Sequence, residues 1–107
     1  MRNSHRIAAC LLLLSSVTCL AAGDPGASLY KSNCAKCHGA AGDADTPAGK
    51  VFHVPSFSSA AVLKESDEHL LAIAKRGKGS MPAWNDVLSE KELKNVIAFI
   101  HTLQKEQ

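Results

Sequence analysis

The sequence predicts an all-α domain. Three capped or amphipathic segments read as helices, no run reads as a convincing strand, and a long stretch rich in Gly, Ala, Asp and Pro reads as loop. Three or four helices joined by long loops are therefore expected.

The first helix is predicted in "DPGASLYKSN". Asp24 is a good N-cap, Pro25 suits the first helical position, and Leu29 and Tyr30 supply an apolar side. It runs straight into "CAKCHG", placing Cys34 and Cys37 at its end. The following "GAAGDADTPAGKVFHVPSF" reads as irregular, and a loop this long in a small domain is a candidate to wrap a ligand. A short helical turn is possible in "SAAVLKE". In "SDEHLLAIAKRG", Ser66 caps, Asp67 and Glu68 favour the positive helix start, Lys75 and Arg76 suit its negative end, and Gly77 stops it. "KGSMPAWND" reads as a turn-rich loop, since Pro82 has no place inside a helix. The last helix carries a capping box in "SEKE" from Ser89 to Glu92, then Leu93, Val96, Ile97, Ile100 and Leu103 at helical spacing.

Residues 1–22 stand apart. Arg2 and Arg6 precede the short apolar core "IAACLLLLSSVTCLAA", and small residues follow at Ala21, Ala22 and Gly23, the layout of a secretory signal peptide. An N-terminal anchor left in place is the competing reading, and the apolar run is short for a membrane span. Ser16 and Thr18 fit a lipoprotein box ending at Cys19 poorly, which argues against a lipid anchor there. The domain is thus expected over 23–107, in an exported protein, the bacterial periplasm being the expected compartment. Without Arg2 and Arg6 the 12 basic residues fall to ten, equal to the 10 acidic ones. A near-neutral domain lacks the basic field that nucleic-acid binding requires. Cys10 and Cys19 leave with the leader, so only Cys34 and Cys37 remain. An exported domain this small sits near the limit at which an apolar core alone suffices, and one Cys pair two residues apart cannot staple it.

Three chemistries compete for Cys34-Ala35-Lys36-Cys37-His38. A redox dithiol of the thioredoxin type opens a helix after a strand, whereas this one follows a helix in a chain without strands. A structural zinc site needs four ligands, and no compact histidine pair completes it from His38, His53, His69 and His101. A c-type haem site uses every residue: two thiols add to the haem vinyl groups and the histidine is placed to ligate iron. The macrocycle would also supply missing core. Met81, before Pro82 in a turn, offers a soft thioether donor suited to haem iron; a core methionine is the alternative. His53, His69 and His101 read as surface histidines.

These residues resemble a class I mono-haem cytochrome c of the small type. "GASLYKSNCAKCHG" is similar to that family's first helix and haem motif, "GKGSMPAW" to its distal ligand loop, and "LKNVIAFIHTL" to its closing helix. The middle segment "ADTPAGKVFHVPSF" departs from the pattern. The resemblance implies one haem c, bound through thioethers at Cys34 and Cys37, with His38 and Met81 as axial ligands. It implies a carbonyl acceptor for the second His38 ring nitrogen, at Pro47 first or Pro55 second, and a close contact of Gly26 with Phe99 between the terminal helices. Trp84 would pack near the haem, hydrogen-bond a propionate, or simply fill core. Two protein ligands leave iron without an open position, so an electron carrier rather than an enzyme is expected, a monomer with transient redox partners and no membrane span after signal cleavage. A ligand-sensing or peroxidatic protein with labile Met81, and a subunit of a larger oxidoreductase, are the rival functions. Lys31, Lys36, Lys75, Arg76 and Lys78 either ring the haem edge and steer docking or are ordinary solvated cations.

Overall fold

Residues 23–106 are described by a computed structural model; the predicted signal peptide, with Cys10 and Cys19, lies outside them. The described chain is helical and contains no strand, with α1 at Pro25–Asn33, α2 at Ala35–His38, α3 at Pro47–Val51, α4 at Ala60–Leu63, α5 at Asp67–Arg76 and α6 at Glu90–Lys105. No described helix is long and apolar enough to cross a membrane.

The three long helices start where their caps dictate. The Asp24 carboxylate accepts from the backbone N–H groups of Gly26 and Ala27, the Ser66 hydroxyl from that of His69, and α6 opens on a complete capping box between Ser89 and Glu92. Each cap satisfies donors that the first helical turn leaves without partners, worth about 1 kcal/mol apiece. Lys105 in the last turn of α6 and Lys75 and Arg76 in that of α5 complement the negative helix end.

Six helices replace the expected three or four because α2, α3 and α4 have only four or five residues each. α3 falls in the segment read as irregular. Thr46 caps it through Gly49 N–H, and Pro47 occupies the first turn. The Thr-Pro pair signals such a start, but five residues carry no apolar period to support it.

α6 is the spine. Leu93, Val96, Ile97, Ile100 and Leu103 are all buried, recurring at the three-to-four-residue spacing of one helix face. Val96, Ile100 and Leu103 meet Tyr30 of α1 and Phe57 of the loop before α4, the main core cluster. α1 crosses α6 closely at Gly26: a Cβ there would lie 2.1 Å from the Asn95 carbonyl oxygen and 3.1 Å from Phe99 Cβ. The expected Gly26–Phe99 approach is present, and the backbone at Asn95 is closer still. Just beyond it, the Tyr30 and Phe99 rings sit with centroids 5.3 Å apart in a tilted arrangement.

α5 is tied to α6 by polar contacts at both ends. Lys75 donates to Glu90 at 2.8 Å, and His101 Nε2 lies 2.7 Å from Asp67 Oδ1. Glu90 also pairs with Lys94, and the two ammonium groups hold its carboxyl down at about 2.

Candidate functional site

The end of α1 sets the site. The Cys34 N–H donates to Tyr30 O at 2.8 Å, and the Cys34 carbonyl then accepts from both Cys37 N–H and His38 N–H. One short helical turn therefore carries Cys37 and His38 on α2, with Cys34 capping it at the junction with α1. Gly39, at a φ of +82°, ends it. Tyr30, 1% exposed, donates its hydroxyl to the Gly39 carbonyl at 2.6 Å, fixing the back of the turn to α1. Burial first, then the Cys34 and Asp43 side chains, push that phenol well above its ordinary value, so it stays a donor.

Cys34 and Cys37 are both free thiols and half-buried. Burial, with Cys37 adding, pushes the Cys34 thiol up to about 11. A redox dithiol needs the opposite shift, because the thiolate is its nucleophile. Among the described residues, no group of three or more His, Cys, Asp and Glu side chains could hold a metal ion, which removes the structural-zinc reading.

His38 is half-buried and stacks on Phe57, ring on ring, with centroids 4.6 Å apart and planes 12° apart. Desolvation pushes its imidazole below the ordinary value, favouring the neutral form with a lone pair to donate. Its Nδ1 is buried without a hydrogen-bond partner, and Nε2 makes no hydrogen bond among the described residues. The expected carbonyl acceptor is thus absent: neither Pro47 nor Pro55 accepts from Nδ1. The physical reason is local. Pro47 belongs to α3, whose capping Thr46 is instead turned to α2, donating its hydroxyl to the Cys37 carbonyl at 2.9 Å. The face of the His38 ring is covered by an aromatic ring.

Met81 closes a tight turn after α5. Lys78 and Met81 exchange both backbone hydrogen bonds, at 3.1 and 2.9 Å, around the pair Gly79-Ser80. Gly79 has a φ of +57°, the positive value that a type II′ turn puts at its first central residue. The half-buried thioether is therefore held on a rigid turn rather than on a helix face. Trp84 fastens the far side of that turn, its backbone N–H donating to Ala74 O of α5 at 3.0 Å.

The donor set suits haem c. Two unpaired thiols share one helical turn with an imidazole whose buried Nδ1 has no partner among the described residues, and a soft sulfur sits on a separate turn. Val51, Phe52, Leu63 and Val87 remain more than half exposed.

Known proteins point the same way. The family model described as cytochrome C oxidase, cbb3-type, subunit III matches residues 21–100. Cytochrome c6 of Euglena gracilis is 35% identical over 80 residues, covering 72% of this chain and 87% of that protein. The chain belongs to the class I mono-haem cytochromes c. The cytochrome is also 32% identical over 80 residues to the cbb3-type cytochrome c oxidase subunit FixP of Rhizobium meliloti (strain 1021), matching 26% of that longer protein. Its fold superposes on the KustC0563 c-type cytochrome with a TM-score of 0.68 at 26% identity, covering 74% of this chain and 96% of that one. Family membership makes it an electron carrier with covalently bound haem c.

Of the cations expected near the haem segments, Lys75 is committed to Glu90. Lys31, Lys36, Arg76 and Lys78 are exposed, with no ion pair among the described residues. His53, His69 and His101 lie at the surface or partly buried; His69 pairs with Glu65 and His101 with Asp67. Sequence reasoning missed Phe57 and Thr46 as neighbours of the haem motif. The "VPSF" and "DTPAG" segments that carry them have no periodicity to announce contact with a distant turn.

Proposed function

We propose that the cytochrome holds its haem through thioether links at Cys34 and Cys37, with His38 and Met81 as axial ligands, and moves single electrons between protein partners outside the cytoplasm. The observation that carries this reading is His38: a half-buried imidazole on the turn that bears both thiols, its pKa lowered by desolvation and its ring nitrogens free of partners among the described residues. Haem c supplies the Fe(III)/Fe(II) couple. The chain fixes one donor on α2 and the other on the Gly79 turn, and rigid donors keep reorganisation small between oxidation states. With His38 and Met81 both holding the iron, ligand exchange would be suppressed, as suits a carrier rather than an enzyme. Lys31, Lys36, Arg76 and Lys78, free of internal ion pairs, are available to acidic partners in brief, salt-sensitive encounters of a monomer. Residues 1–22 direct export, to the periplasm in a bacterial source.

Visible spectra of the holoprotein in both redox states test the axial assignment. In Met81→Ala the haem stays attached, the potential falls and carbon monoxide binds readily. A variant with unchanged potential and ligand access rules out Met81. The similarity to FixP favours a second reading, in which the domain feeds electrons within an oxidase assembly. Stable co-purification with oxidase subunits distinguishes that reading from a free carrier.

A further inference from the structure

We infer that His101 is a proton-operated clasp, tying the start of α5 and the Phe57 segment to the end of α6 and releasing one of them as pH rises. The geometry itself fixes the protonation of the closed clasp. Gln104 Nε2 lies 2.9 Å from the Phe57 carbonyl, which can only accept, so the amide nitrogen faces Phe57 and the amide oxygen faces His101. That oxygen, Oε1, lies 2.7 Å from His101 Nδ1, and Oδ1 of Asp67, the first residue of α5, lies 2.7 Å from Nε2. Both ring nitrogens therefore meet acceptors, and only the imidazolium donates from both.

Loss of the proton leaves one N–H for two acceptors. With that N–H on Nε2, the bare Nδ1 faces the amide oxygen, lone pair against lone pair. Turning the amide over repairs this contact but points its oxygen at the Phe57 carbonyl. With the N–H on Nδ1, the bare Nε2 faces the Asp67 carboxylate, and the hold on α5 goes instead. Either way one link is lost. Glu68 of α5 and Lys94 of α6 line the groove beside the ring, Lys105 of α6 opposes its charge, and residues 54–61 carry no charged side chain. The hydrogen bonds to Gln104 and Asp67 outweigh burial and Lys105, lifting the ring above its ordinary value. The clasp is thus complete at pH values below about 6.5 and opens as pH rises through the folded-state value. Because Phe57 also stacks on His38, a surface proton governs how firmly one wall of the site is held.

The test is NMR of the reduced, 15N-labelled holoprotein between about pH 5 and pH 9. Wild type is compared with His101→Gln, with Gln104→Met, and with His69→Gln, which removes the other carboxylate-paired histidine. The ring nitrogens of His101 are expected to be both protonated at about pH 6, and Gln104→Met is expected to lower the pH at which the ring titrates. Hydrogen-exchange protection is read at the Phe57 amide, bonded to Gly42 O, and at the Leu70 amide of α5, bonded to Ser66 O. As the ring titrates, protection at one or both falls by roughly two- to fivefold, the upper figure being the limit for an exposed pair. His69→Gln keeps that fall, whereas His101→Gln holds protection at the low level across the whole range. The inference is overturned if His101 carries a single ring proton at the acid end, if wild-type protection does not change with its titration, or if the fall persists in His101→Gln. A Gln104→Met variant whose His101 titrates as in wild type overturns it as well.

Discussion

Substituting Gly26 by Ala is the sharpest probe of how α1 and α6 frame the site. Two effects oppose each other. In an exposed helix the change would stabilise by about 0.5–1 kcal/mol, because Gly loses more backbone freedom on folding. Here the new Cβ would stand 2.1 Å from Asn95 O and 2.7 Å from Asn95 C, both backbone atoms inside a 16-residue helix, so no side chain can swing away. Relief requires α1 to back off from α6 by roughly an ångström, loosening the Tyr30–Phe99 contact; overpacking of this kind costs about 1–3 kcal/mol and sometimes more. The overlap therefore wins, leaving a net destabilisation of about 2 kcal/mol. For a domain of this size that lowers the melting temperature by roughly 8–16 °C. Guanidinium unfolding of the holoprotein, followed by far-UV circular dichroism, measures it, with the midpoint falling at constant slope. A variant as stable as wild type, or more so, would show that helix propensity dominates and that the crossing is looser than the Gly26–Asn95 distance implies.

Three further outcomes are expected. Changing Cys34 and Cys37 together to Ala eliminates covalent haem, so haem that resists acid–solvent extraction from that variant would contradict attachment through α2. Tyr30→Phe removes the 2.6 Å bond to Gly39 O, but that carbonyl keeps the Gly42 N–H at 3.1 Å, so the loss in thermal or denaturant unfolding is about 1 kcal/mol rather than the 3 of an orphaned group. His101 is raised above its ordinary value by its hydrogen bonds to Gln104 and Asp67, so its contribution is full at pH values below about 6.5 and fades as pH rises through the higher folded-state value. Solvent exposure limits it to under about 1 kcal/mol, and Asp67→Asn should flatten the unfolding midpoint between about pH 5 and pH 9.

The family membership and the electron-carrying cofactor were legible because their signals are short and local. A Cys-x-x-Cys-His run, a Met-Pro turn and a capping box each require only a few consecutive residues, and chain connectivity alone places them. The same holds for α1, α5 and α6, whose caps act within three residues of the helix start. Gly26 and Phe99 were recognisable as a pair through the resemblance, but the closeness of the Asn95 backbone was not.

The sequence by itself determined the helices that carry the site and the donor atoms on them. Tertiary structure alone decided what surrounds those donors: Phe57 against His38, Tyr30 bonded to Gly39, Gln104 reaching back 47 residues to Phe57, and Lys75 drawn to Glu90. The reason is that caps and motifs are enforced by covalent neighbours, whereas these contacts join residues of different elements that only the packing of the chain brings together. Local patterns do not encode such partners, so the setting of the His38 imidazole becomes readable only once the fold is in hand.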